Sequence, residues 1–280
     1  MAYPYLLFFN RDLVTDREAQ GVKTWQGLLS LIQKRLPLAA KNGKPVFGLD
    51  IQSDAIWFHT WYWQRGGRVF APASAALALD QSLAASALAA MGRWRALPDL
   101  LPRPQDRLNL PSHGASQGVL GSLFLQGRAM FYWSGSWKIW DLLQQDQVKW
   151  GIMPLPAGPA NGLTLLGGNS FGVSARSRHP KQALRLVRHL ASREGQQRHT
   201  ALHIYMPARP DCPVPPEFQI PREQIGRART LEYSPRHNEA LVGEIMKQAL
   251  QAHRLGRLSA AQAAAAMGRG LATGAVEALP

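Results

Sequence analysis

Short apolar runs of strand length alternate with segments of helical period along the whole chain, and this alternation most limits what the chain can fold into. Residues 5–9 are wholly apolar and read as a buried strand ending at Asn10-Arg11-Asp12. Thr24 then stands as an N-cap before Trp25, Leu28, Leu29 and Ile32, which keep the helical spacing. A turn is expected at 41–45, a short strand at 46–49, and an Ala/Leu-rich helix at 74–91 that stops at Gly92. Further strands are expected at 129–133, 150–153 and 171–174, the last preceded by Gly167-Gly168-Asn169-Ser170. Helices are expected at 117–126, at 137–143, at 180–192 and from 238 to 279, the last one interrupted near Gly256 and restarted by a Ser259 cap. Residues 98–111 and 207–221 are rich in proline and read as loops. The pattern predicts an α/β sheet, and 280 residues suffice for one large domain or two ordinary ones.

Several function classes fall away at once. No stretch reaches the 18 or so apolar residues of a membrane-crossing helix. A single cysteine, Cys212, excludes an intrachain disulfide and a multi-cysteine metal cluster, and it has no evident base partner in its proline-rich loop. His199 and His203 are four apart, but no third metal ligand lies nearby. No nucleophile-elbow, zinc-protease, phosphate-loop or dinucleotide motif occurs, and no carboxylate pair stands out for glycoside cleavage. No catalytic residue, metal or cofactor is therefore expected. A net charge of +14 invites a nucleic-acid reading. The basic residues are dispersed, with one dense cluster at 176–198, and nucleic acid is not an expected partner.

The aromatic residues carry the functional signal. Five of them fall in eight positions at 56–63, against 9% in the whole chain, and the segment closes on Gly66-Gly67. Trp133 lies inside an apolar strand and reads as core. Trp137 follows Ser134-Gly135-Ser136 at an expected strand-to-helix junction, where an indole face can stack on the C–H face of a sugar.

Taken in order, the motifs resemble the extracellular solute-binding proteins of bacterial ABC importers, a family that includes maltose- and glycerol-3-phosphate-binding proteins. The resembling segments are Phe9-Asn10-Arg11-Asp12-Leu13, Lys23-Thr24-Trp25, Trp63-Gln64-Arg65-Gly66-Gly67, Phe124 to Met130, Gly135-Ser136-Trp137, Pro154-Leu155-Pro156, Gly167-Gly168-Asn169-Ser170-Phe171, Arg178-His179-Pro180 and Met206-Pro207-Ala208-Arg209. The resemblance implies a type II periplasmic-binding-protein-like α/β fold of two lobes that close on a solute, with the first lobe incomplete. It places a crossover and first-lobe remnant at 1–20, the main part of the second lobe at 21–155, a hinge strand and return at 156–205, and helices completing the second lobe at 206–280.

Solute contacts carried over by the resemblance are Tyr3 and Tyr5, Trp57 and Trp61, Gly135, Ser136 and Trp137, Gly168 and Asn169, Tyr205 and Arg209. The implied solute is a sugar or a glycerol-phosphate-like polyol, and the implied protein partners are membrane permease subunits. A monomer outside the cytoplasm is expected, associated with the membrane through the permease. Residues 1–9 lack the basic start and cleavage site of a signal peptide, and family chains carry further strands before the segment matched by Tyr3, so a missing start is expected. Two other readings stand beside this one: a non-catalytic module for anionic polymers, and a non-functional fragment of a solute-binding protein.

Overall fold

The computed structural model describes residues 1–39, 45–51, 53–72, 74–103, 106, 123–203, 205–232, 238–277 and 279. The strands are β1 (Ala2–Asn10), β2 (Phe47–Ile51), β3 (Ala129–Gly135), β4 (Trp150–Met153), β5 (Thr164–Gly168) and β6 (Ala228–Arg229). The helices are α1 (Asp16–Gly21), α2 (Trp25–Arg35), α3 (Asp54–Trp63), α4 (Gln81–Arg95), α5 (Lys138–Leu143), α6 (Pro180–Ala191), α7 (Arg193–Ala201), α8 (Gln219–Gln224), α9 (Glu239–Arg254) and α10 (Ala260–Thr273).

β1 organises the sheet. It runs antiparallel to β3 through residues 5–9, to β4 through residues 7–10 and to β5 through residues 2–4. β2 joins β3 and β6 joins β5, both parallel, giving the order β2-β3-β1-β5-β6 with β4 also on β1. Residues 1–20, expected to cross over from a first lobe, thus supply the central strand. Side chains alternate across it: Leu7 and Phe9 enter one core, Ala2 and Phe8 the other. A strand covered on both faces has no reason to alternate polar and apolar residues, which explains the unbroken run at 5–9.

The larger core holds side chains of α2, α3, α4, α9 and α10. Its centre is a cluster of five indoles. Trp25 lies 4.9 Å from Trp133, 5.4 Å from Trp61 and 5.9 Å from Trp94, ring centre to ring centre. Trp57 lies 5.2 Å from Trp61 and 6.4 Å from Trp94. The smaller core packs Phe8 and Tyr132 against Phe124, Ile139, Leu142 and Phe218.

The structure revises several expected elements. β1 begins at Ala2: Pro4 lacks an N–H, but its carbonyl accepts the Ser136 N–H at 3.0 Å and the ladder to β5 carries the strand onward. The expected helix at 74–91 is α4, which starts at Gln81 behind an Asp80 cap and passes Gly92 to end at Arg95. An interior glycine costs about 1 kcal/mol, and packing Trp94 against three other indoles outweighs it. The strand expected at 171–174 is not formed; those residues are irregular, and the strand lies earlier, at β5, where residues 2–4 offer a partner. The proline-rich segment 207–221 contains a 3-10 turn, Pro216–Phe218, and the start of α8. The last helix ends at Thr273 on Gly274, whose φ of 66° suits a left-handed cap. Most of the expected turn at 41–45, half of the expected loop at 98–111 and most of the expected helix at 117–126 lie outside the described residues, although Phe124–Gln126 form a 3-10 turn.

Candidate functional site

Three segments meet at the N-terminal end of β1. The first is β1 itself, which presents Tyr3 and Tyr5 from alternate positions on one face. The second is the end of β3, where Gly135 and Ser136 lead into Trp137 at the cap of α5. The third is the end of β5, with Gly167, Gly168 and Asn169. Met206 bridges Ala2 in antiparallel fashion and brings Tyr205 alongside.

The rings form one half-buried group. The Trp137 indole stands nearly perpendicular to both tyrosine rings, 4.9 Å from Tyr3 at 79° and 5.0 Å from Tyr5 at 83°. Tyr205 lies 6.1 Å from Tyr3, tilted by 32°. Two glycines make these positions possible. A Cβ on Gly135 would fall inside the Trp137 indole, and a Cβ on Gly167 would fall inside the Tyr3 ring. Around the rings stand polar groups. The Tyr3 hydroxyl donates to Asn169 Oδ1 at 2.9 Å, and the Asn169 N–H donates to the Met1 carbonyl at 3.2 Å. Ser136 is buried, and its Oγ has no hydrogen-bond partner among the described residues.

At the edge of the site the Met1 ammonium donates to the Asn169 carbonyl at 3.1 Å. Burial pushes the Tyr3 phenol above its ordinary pKa, with Tyr205 adding to the rise, and burial does the same to Tyr5. Both phenols are therefore neutral donors near pH 7. The next residue, Lys138, is buried and its Nζ donates to Asp141 at 2.6 Å.

Tyr3, Tyr5, Gly135, Ser136, Trp137, Gly168, Asn169 and Tyr205 thus converge. Trp57, Trp61 and Arg209 do not. Trp57 and Trp61 sit one helical turn apart on α3, 1% and 2% exposed, packed among the other indoles of the larger core with Arg95 over the Trp57 ring and Arg65 over the Trp61 ring. The Arg209 guanidinium is exposed and forks onto Asp211 at 2.9 Å through both of its bonds. Gly167 stood in the Gly167-Gly168-Asn169 motif but not among the expected contacts; its signal is its place opposite Tyr3 in the β1–β5 register.

A sizeable cavity lies elsewhere. It holds about 1080 Å³ and is lined by Phe9, Arg11, Lys149, Trp150 and Met153, among others. Phe9 is six residues beyond Tyr3, about 20 Å along the strand. The convergence of half-buried rings on the unpartnered Ser136 Oγ, not cavity size, marks the Tyr3–Trp137 group. His203 contacts Glu217, and His199 lies by Phe171, so these histidines serve separate contacts. Among the described residues no group of three or more His, Cys, Asp and Glu gathers as a metal site, and no helix is long and apolar enough to cross a membrane.

The sequence pattern of the family described as bacterial extracellular solute-binding protein matches residues 1–223. The chain belongs to that family. Its fold is that of the periplasmic binding proteins. The maltose/maltodextrin-binding domain of Bdellovibrio bacteriovorus, bound to maltotriose, superposes with a TM-score of 0.75 at 17% identity, covering 97% of this chain and 70% of that one. Maltose-bound MalE3 of T. maritima gives 0.71 at 21% identity, with 97% and 71% covered. A Listeria monocytogenes ABC substrate-binding protein in complex with cycloalternan gives 0.78 at 16% identity, with 97% and 69% covered. No curated protein matches the chain. Family and structural neighbours are solute-binding proteins without catalytic activity.

Proposed function

We propose that this chain is the solute-binding subunit of an ABC-type importer and that it takes a neutral sugar at the Tyr3–Trp137 site. The observation that carries the reading is the ring group itself: half-buried indole and phenol rings, neutral hydroxyls and an unpartnered Ser136 Oγ. A sugar ring offers apolar C–H faces and a rim of hydroxyls, so it needs flat rings with a few polar atoms beside them. A glycerol phosphate would need a free cation. Lys138 is engaged by Asp141 and Arg209 by Asp211. Sugars bound in the maltodextrin-binding neighbours support the same class of solute.

In this reading the solute favours a closed arrangement of lobes about the 156–205 hinge region, and the closed form docks on membrane permease subunits outside the cytoplasm. The chain acts as a monomer and makes or breaks no bond. Isothermal calorimetry with maltose, maltotriose and glycerol 3-phosphate tests the solute. Saturable heat with a maltodextrin, lost in Trp137→Ala and absent with glycerol 3-phosphate, is the expected result. A folded protein silent to all three sugars and polyols, or one that prefers the phosphate, overturns the reading.

A further inference from the structure

Among the described strands, β4 pairs with β1 alone, so one of its edges is free. The ladder decides which of its backbone groups are used. The Arg11 N–H donates to the Lys149 carbonyl at 2.7 Å, so the bonded pairs continue as Phe9–Gly151 and Leu7–Met153. The even-numbered residues of β1 bond the other way, toward β3, as the Ser136 N–H on the Pro4 carbonyl shows. The backbone N–H and C=O groups of Trp150 and Ile152 therefore point away from β1, and among the described residues no hydrogen bond takes them up.

These groups face a groove. Trp150 and Ile152 both line the cavity of about 1080 Å³, beside Leu142, Leu143 and Ile220. Its walls come from β1, α1, α5, β4, α8 and their connections. Of the segment 156–205, expected to return to the incomplete first lobe, only Ala157 and Gly162 touch it. Charge marks its rim. Arg11 is held by Asp16 at 2.8 Å, and Glu217 contacts His203. Lys23, Lys149 and Arg227 are exposed and make no ion pair among the described residues, against a single such carboxylate, Asp146.

An occupant that suits this groove brings backbone donors and acceptors at strand spacing, apolar side chains and negative charge. A neutral sugar lacks the charge and the spacing. A second copy of this chain would offer its own β4 edge but set the same three cations against these. An extended acidic peptide meets all three demands.

We propose that the free edge of β4 is a docking groove for an extended acidic segment of a partner protein, which adds to the sheet as a strand beside Trp150 and Ile152. The proposal is independent of what occupies the Tyr3–Trp137 site.

The test is fluorescence anisotropy of short labelled peptides with the full chain. A peptide of alternating glutamate and valine should bind saturably, and its lysine–valine counterpart at least about tenfold less. Full N-methylation of the acidic peptide's backbone keeps its charge and side chains but removes every ladder donor, and should weaken binding by about tenfold or more. On the protein, Ile152→Pro deletes one outward N–H and spares the ladder to β1, which an edge strand tolerates; the expected weakening is about fivefold. Lys149→Gln with Arg227→Gln should also weaken binding about fivefold. That pair changes exposed side chains only, so it keeps the test decisive if circular dichroism shows Ile152→Pro to be unfolded. The proposal is overturned by silence toward the acidic peptide, by equal binding of the lysine peptide, by undiminished binding of the methylated peptide or to the cation-pair variant, or by a dimer in sedimentation that Ile152→Pro dissociates.

Discussion

At the scale of single residues, Gln64 shows how one polar side chain can fix a junction. It is buried at the C-cap of α3, accepts the Trp25 indole N–H at 2.6 Å, and donates to the carbonyls of Pro156 and Leu163 at 3.0 and 2.8 Å. It ties α2, α3 and the approach to β5 together. Gln64→Leu leaves one buried donor and two buried acceptors unpaired at about 1–3 kcal/mol each. The expected loss in urea-unfolding free energy is about 3 kcal/mol or more, with little change in the slope against denaturant. A loss under about 1 kcal/mol would mean that water replaces the amide. Gln64 was visible in the sequence as part of Trp63-Gln64-Arg65-Gly66-Gly67, yet its three partners stand 39, 92 and 99 positions away. Local reading finds the motif; only the fold supplies its reason. Trp57 and Trp61 show the reverse. Their spacing of four is equally the signature of one helix face, and a helix face rich in tryptophan is core unless something keeps it open.

At the scale of elements, local chemistry was the legible part. Thr24 accepts the Gly27 N–H at 3.1 Å and starts α2 where expected. Ser259 closes a reciprocal capping box with Gln262, accepting its N–H at 3.2 Å while Gln262 Oε1 accepts the Ser259 N–H at 2.8 Å. Ser259→Ala should cost about 1 kcal/mol, read as a lowered midpoint in thermal unfolding, and Ser259→Asp should restore most of it. A neutral Ser259→Ala would show that packing of Ala263, Ala264 and Met267 in the larger core alone sets that helix start. Strands were harder. Residues 171–174 are as apolar as many strands, but among the described residues no neighbouring strand offers them a ladder, whereas 164–168 meet both β1 and β6. A strand is decided by its partner, and the partner here is some 160 residues distant. The amphipathic period of α6 was legible too; its lack of burial was not, because a sequence records which face wants cover and not whether cover arrives.

At the scale of the whole molecule, β1 links site and core within nine residues: Tyr3 and Tyr5 serve the site, and Leu7, Phe8 and Phe9 the two cores. A sugar bound at Trp137 should therefore stabilise the entire sheet and not just its rim. At a concentration of 100 times the dissociation constant, the expected gain is about 2.7 kcal/mol, seen as one calorimetric transition moving upward as a unit. A second transition that ignores the sugar would show that the larger core unfolds independently of the site. The five-indole cluster has an optical consequence. Rings 4.9–6.4 Å apart and mostly steeply inclined couple their electronic transitions, so the protein's ultraviolet optical activity will contain a bisignate indole band superimposed on the backbone signal. Helix content read naively from such a spectrum would be wrong. The same band, by fading as the rings drift apart, would gauge the tightness of the core well before the helices melt.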